Sequence, residues 1–148
     1  MKAVLQRSKY SKVTISDKIN GQIKEGLVVL VGFTQGDDEH IVDKMIEKII
    51  NLRIFEDENG LMNKSLIDIN GEILNISQFT LYADASKGRR PSFVKALNPS
   101  DAQKLYQYMN EKLKEKNIKV ETGVFGADMK VEIYNDGPVT IILDSSEL

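Results

Sequence analysis

The sequence predicts an α+β fold: a single domain spanning residues 1–148, in which an antiparallel or mixed, barrel-like β-sheet carries two long helices. Three observations predict it. Short apolar runs, several of them rich in β-branched residues, recur between turn-forming residues about eight times along the chain. Two longer segments instead space their apolar residues as helices do. Asn20-Gly21 and Asn70-Gly71 read as hairpin turns, which make neighbouring strands antiparallel.

In chain order, Lys2 to Ser8 reads as a first strand and Val13-Thr14-Ile15 as a second, ahead of the Asn20-Gly21 turn. Gly26 to Phe33 is a continuous apolar run, the pattern of a central strand covered on both faces. Acidic Asp37, Asp38 and Glu39 suit the positive end of a helix dipole, and Ile41, Val42, Met45, Ile46, Ile49 and Ile50 then form one helical face. Arg53-Ile54-Phe55 reads as a short strand ended by a polar turn. Ser65 to Ile69 reads as another, joined through Asn70-Gly71 to a return strand from Glu72 to Tyr82. Asn98-Pro99-Ser100-Asp101 starts the second helix, with Asn98 as cap and Pro99 in the first turn, and Asn117 stops it. Ile118–Thr122, Met129–Tyr134 and Val139–Leu143 complete the strands, the last two joined by a turn at Asn135-Asp136-Gly137-Pro138.

Composition narrows the function. A chain of 148 residues buries enough surface for a core without metals or cross-links. The formal charge of −2 gives no global basic field, so contact with nucleic acid has to come from a local patch. The chain has no cysteine, which removes disulfides, thiol catalysis and finger-type zinc sites and agrees with a reducing, cytoplasmic setting. No apolar stretch is long enough for a signal peptide or a membrane span, so no membrane partner is expected. No cofactor and no metal are expected either.

The stretch from Glu72 to Phe93 departs from a plain core strand. Ser77, Gln78 and Thr80 are set among Ile76, Phe79 and Leu81, and polar groups in apolar surroundings require partners. The strand then opens into Lys87-Gly88-Arg89-Arg90, which is either solvated surface or a phosphate contact made by forked arginines. Gly137-Pro138 is either a plain turn or a cis peptide that aims two carbonyls the same way. Phe125 and Met129 either pack in the core or sandwich a flat base. The sole histidine, His40, sits in the charged first turn of a helix and reads as solvated, which leaves no serine–histidine–aspartate triad. The acids Glu56-Asp57-Glu58 read as a solvated turn, because their order does not match a calcium loop.

Taken together, these segments resemble the D-aminoacyl-tRNA deacylase (D-tyrosyl-tRNA deacylase) family. The resemblance is carried by Ser77-Gln78-Phe79-Thr80 and by Asn135-Asp136-Gly137-Pro138-Val139-Thr140. The blocks Asn51–Phe55, Lys87–Phe93 and Phe125–Met129 support it, and it runs from the first strand to the last. It implies hydrolysis of the ester joining a D-amino acid to the terminal adenosine of tRNA, and of glycine mischarged on tRNA(Ala). It also implies a homodimer in which a cis Gly137-Pro138 peptide enters the partner's pocket and excludes L-amino acids. Ser77, Gln78, Phe79 and Thr80 would form the reaction centre, Phe125 and Met129 would bracket the adenine, and Lys87, Arg89 and Arg90 would meet acceptor-stem phosphates. Two routes come with the resemblance: attack by the Thr80 hydroxyl, or a water assisted by the substrate's own 2′-hydroxyl. The second is favoured, since no histidine, cysteine or well-placed lysine is evident to deprotonate Thr80.

Overall fold

The first strand, β1, runs unbroken from Lys2 to Ile15 and organises the rest of the chain; the computed structural model describes residues 1–148. β1 turns into β2 (Lys18–Ile23), and β3 (Gly26–Gly32) lies antiparallel to its first half. Helix α1 (Glu39–Asn51) follows, then the small hairpin β4 (Phe55–Glu56) and β5 (Met62–Lys64). β6 (Glu72–Ser77) pairs in parallel with β3, and a 3₁₀ turn at Phe79–Tyr82 follows it directly. Helix α2 (Pro99–Glu115) leads into β7 (Val120–Thr122), parallel to β6, and β8 (Lys130–Asp144) returns along the whole of β1. The main sheet has the order β2-β1-β3-β6-β7, with β8 on the other side of β1. It is mixed, one of the two expected forms, and curls nearly closed. At the seam, Asn20 Nδ2 donates to Thr122 O at 2.7 Å.

Two cores follow from this curl. Alternate residues of β3 and β6 point to opposite sides. Leu27, Val29, Val31 and Ile73 face the two helices, where they meet Val42, Met45, Ile46 and Ile49 of α1 and Met109 and Leu113 of α2. Val28, Leu74 and Ile76 face the barrel interior with Val13 and Ile23. β3 is thus covered on both faces, as its unbroken apolar run predicts. Both helix starts are those read from the sequence. Asp38 Oδ1 accepts the Ile41 N–H at 2.9 Å, and Asn98 Oδ1 accepts the Asp101 N–H at 3.0 Å.

Several expected boundaries are corrected. Lys2–Ser8 and Val13–Ile15 form one strand that is irregular between Ser8 and Ser11, where the buried hydroxyls of those residues bond each other at 2.6 Å. The turn after it is made by Ser16 and Asp17, at φ 48° and 62°, not by Asn20-Gly21. Asn20 and Gly21 lie within β2, where a Cβ on Gly21 would come 3.1 Å from Thr122 O; their service is close approach at the seam. Ser65 to Ile69 is a turn, not a strand. Ser65 N–H and Oγ both donate to Asp68, and Gly71 N–H closes back on Leu66 O. The strand expected to run from Glu72 to Tyr82 ends at Ser77. Met129–Tyr134 and Val139–Leu143 belong to one strand, from which residues 136–139 bulge outward.

Candidate active site

Parallel strands β3 and β6 end side by side, and a cavity of about 610 Å³ opens beyond their carboxyl ends. Open sheets place ligands at such ends, and the volume is usual for a small-molecule site, roughly 300–1,000 Å³. Ser77, Gln78 and Phe79 form one wall, and Phe125 to Met129, with Val131, form another. Phe33, Phe93, Leu97 and the start of α2 at Asn98-Pro99 close the rest.

The end of β6 explains why polar residues sit here. Gln78 N–H makes the last sheet-like bond, to Val31 O at 2.7 Å, and the chain then tightens into the 3₁₀ turn. The first bond around that turn is Leu81 N–H to Gln78 O at 3.3 Å, so the N–H groups of Phe79 and Thr80 precede it and have no partner within the turn. Gly32 makes the arrangement possible. A Cβ there would lie 2.8 Å from Gln78 O and 3.2 Å from Leu81 Cβ. The Thr80 hydroxyl donates to Gln78 Oε1 at 2.6 Å, which leaves the Gln78 Nε2 hydrogens free to donate elsewhere. An amide oxygen is a poor base, so this bond orients Thr80 without activating it. Phe79 is 55% exposed and meets Phe93 edge-on, with ring centroids 5.1 Å apart.

The opposite wall is set by small residues and a buried network. A Cβ on Gly123 would fall 2.2 Å from Met129 Sδ, so glycine is what admits the thioether there. The Phe125 ring lies 6.1 Å from Tyr106, whose phenol donates to Asn75 O at 2.6 Å within β6. Burial pushes the Tyr106 phenol up to about 12, so it stays a donor. Asn75 Nδ2 in turn donates to Asn110 Oδ1 at 2.7 Å, tying β6 to α2 beneath the cavity.

Not all the expected residues meet. Ser77, Gln78, Phe79, Phe125 and Met129 line the cavity; Thr80 is outside the lining. Gly137 and Pro138 are exposed and away from it, on the bulge of β8, and their peptide is cis. Lys87, Arg89 and Arg90 are exposed on a separate loop and form no ion pair. That loop is closed by paired bonds between Asp84 and Ser92, at 2.8 and 2.9 Å. Ser86 and Lys95 hold the Asp84 carboxyl down to about 2.

Residue-level reading of the sequence missed Arg7. Its buried guanidinium reaches Asp136 O at 3.3 Å, Asp136 Oδ2 at 3.2 Å and Ile54 O at 2.9 Å, gripping the base of the β8 bulge. A lone arginine in an apolar strand was its only signal. His40 is exposed on α1, far from this chemistry. Asp57 accepts N–H bonds from Asn59 and Leu61 and a side-chain bond from Asn63, so it shapes the β4–β5 hairpin. No three acidic or histidine side chains converge as metal ligands.

The family described as D-Tyr-tRNA(Tyr) deacylase matches residues 4–144. The chain belongs to that family. Among members of this deacylase family, the D-aminoacyl-tRNA deacylase of Syntrophomonas wolfei is 54% identical over 148 residues, covering 100% of this chain and 99% of the relative. That of Clostridioides difficile is 56% identical over 147 residues, with 99% of each covered. A solved structure of a c-Myc DNA unwinding element binding protein superposes with a TM-score of 0.92 at 40% identity, over 97% of this chain and 98% of that one. A probable eukaryotic D-amino acid tRNA deacylase shares the fold at 16% identity, with a TM-score of 0.80 over 96% and 97% of the two chains. The deacylase fold therefore tolerates deep change in sequence. No helix is long and apolar enough to cross a membrane.

Proposed function

We propose that this member of the deacylase family hydrolyses the ester of D-aminoacyl-tRNA and spares the L-ester. The observation that carries the reading is the free donor set at the end of β6: Gln78 Nε2 and the N–H of Phe79 share one cavity with Phe125 and Met129. In this reading the adenine of the terminal nucleotide lies between Phe125 and Met129. The ester carbonyl then points at Gln78 and the Phe79 and Thr80 N–H groups. Water attacks the carbonyl carbon, and the developing oxyanion collects those hydrogen bonds. Collapse breaks the bond to the ribose 3′-oxygen, which leaves with a proton passed through the neighbouring 2′-hydroxyl. The products are a free amino acid and free tRNA. Thr80 orients Gln78 in this scheme and Ser77 shapes the floor.

Handedness is assigned to Gly137 and Pro138 of a second copy. In their own chain these residues are exposed and far from the cavity, while Arg7 fixes the bulge that carries them. Their carbonyl oxygens, set against the substrate's α-carbon, leave room for hydrogen but not for an L side chain. Glycine, which has no side chain, passes the same check, so glycine mischarged on tRNA(Ala) is a substrate as well. The protein acts as a homodimer in the cytoplasm. Its unpaired Lys87, Arg89 and Arg90 meet acceptor-stem phosphates.

The test compares D-tyrosyl-tRNA and L-tyrosyl-tRNA as substrates, with release followed by mass spectrometry. Release from the D-ester alone supports the reading. Equal hydrolysis of both ends the claim of chirality, and no hydrolysis of either ends the claim of catalysis.

A further inference from the structure

Where residues 136–139 leave the β1–β8 ladder, something has to replace the lost pairing. β1 advances two residues, from Gln6 to Ser8, while β8 runs five, between Thr140 and Asn135. Backbone carbonyls on both sides of the gap lose their ladder donors there. The Asn135 side chain fills the gap. Its Nδ2 donates to Arg7 O across the sheet and to Val139 O across the mouth of the bulge, both at 3.0 Å. Its Oδ1 accepts from Gln6 Nε2 at 3.2 Å and from Thr140 Oγ1 at 3.3 Å. Both amide hydrogens are used, and the oxygen accepts from Gln6 and shares the Thr140 hydroxyl with Pro138 O. Aspartate has the shape without the donors, and serine has too few groups and too little reach.

The consequence reaches the tip. Nδ2 joins residue 135, one leg of the bulge, to residue 139, the other leg, so it sets their separation. The Thr140 hydroxyl stands within reach of Asn135 Oδ1, at 3.3 Å, and of Pro138 O, at 3.2 Å, and its one hydrogen serves one of them at a time, so the far leg is tied either to the amide or to a tip carbonyl. Arg7 holds only the near leg, through Asp136.

We propose that Asn135 is the positioning residue for stereochemical discrimination: it holds the two legs of the bulge together and thereby aims the Gly137 and Pro138 carbonyls. The assignment rests on the reading of those carbonyls as the element that excludes L-amino acids. Asn135 touches no reacting atom, so its loss loosens a wall without removing the oxyanion donors. Discrimination then falls while hydrolysis of the D-ester persists.

The experiment uses the full chain with Asn135→Asp, Asn135→Ser and the milder Gln6→Ala, each first checked for a wild-type-like thermal transition. Two quantities are measured: the ratio of turnover on D- and L-tyrosyl-tRNA, and hydrogen exchange of the amides of residues 136, 137, 139 and 140. The expected result for the Asn135 variants is a selectivity ratio lower by about tenfold or more, with D-ester turnover within about threefold of wild type. Faster exchange confined to the bulge is expected alongside it, and Gln6→Ala should move both readouts the same way by less. Unchanged exchange in the bulge overturns the assignment, whether or not the wild type proves to be a deacylase. Faster exchange with an unchanged ratio overturns the link to selectivity. A wild type that treats both esters alike would end the functional reading instead, and the exchange result would still decide whether Asn135 clips the bulge.

Discussion

At the scale of single residues, the site depends on which donors are free and which are spent. Gln78 gives its amide oxygen to Thr80 and keeps its nitrogen. Replacing Gln78 with alanine is expected to lower single-turnover hydrolysis by roughly 10²–10³ fold, the usual cost of one oxyanion donor. Thr80→Val should cost no more than about tenfold if the substrate supplies its own hydroxyl. A Thr80→Val loss as large as that of Gln78→Ala would revive the acyl-enzyme route. Gly137 is the other exacting residue. It sits at φ +111°, and a Cβ there would lie 2.9 Å from Arg7 Nη2 and 2.8 Å from Val139 Cγ2. Gly137→Ala is therefore expected to cost about 1–3 kcal/mol, read from denaturant unfolding.

At the scale of elements, the site is the junction of β3, β6 and the 3₁₀ turn, and its tolerances are tight. In Gly32→Ala the new Cβ would press on Gln78 O at 2.8 Å, a backbone atom with nowhere to move. The expected loss is about 1–3 kcal/mol of stability, together with most of the activity, because the turn carries the donors. Helix α2 is tied to β6 through the Tyr106 phenol and Asn75 O at 2.6 Å. Tyr106→Phe leaves that carbonyl without its donor, at about 1–3 kcal/mol. The burial of the same phenol predicts a pH effect. Burial raises the folded phenol to about 12, above its ordinary value of 10.0, so the folded state holds the proton more tightly than the unfolded chain. This stabilisation is complete below pH 10 and lost as pH rises toward 12. Chemical denaturation between those values should show a steeper fall for wild type than for Tyr106→Phe. A shallower slope does not vanish altogether, because burial raises Tyr82 as well.

At the scale of the whole molecule, the proposed chirality check requires a second copy. The cavity of one chain has no contribution from its own Gly137 or Pro138. Sedimentation equilibrium is expected to return twice the 16.7 kDa of a single chain; a monomer at assay concentrations would sink the shared-site reading. Exposed Phe79, Val94 and Ile142, the last 73% accessible, provide apolar surface for such a contact. The overall charge of −2 makes the basic loop the place to test for RNA. Replacing Lys87, Arg89 and Arg90 together with alanine should weaken tRNA binding and reduce the slope of log Kd against log salt by roughly 2–3 units. An unchanged slope would remove the loop from the interface.

Local chemistry in the sequence determined the helices and their caps, the doubly covered β3 and the family, because periodicity, capping and motif residues act over a few neighbours; it left the barrel-like sheet either antiparallel or mixed. The resemblance grouped Ser77, Gln78, Phe79 and Thr80 with Phe125 and Met129, and the cavity is lined by all of these except Thr80. Tertiary structure decided the rest. Asn20-Gly21 carries the strongest turn signal in its region, yet the barrel seam uses it for close approach and leaves the turn to Ser16-Asp17. Residues 72–82 read as one strand, but Gly32 on the neighbouring strand lets the chain tighten after Ser77. Arg7 and Asn135 lie 128 residues apart, and only the pairing of β1 with β8 makes them the two sides of one bulge. A hydrogen bond over that separation leaves no pattern in the chain, since either residue alone is an ordinary polar side chain on a strand.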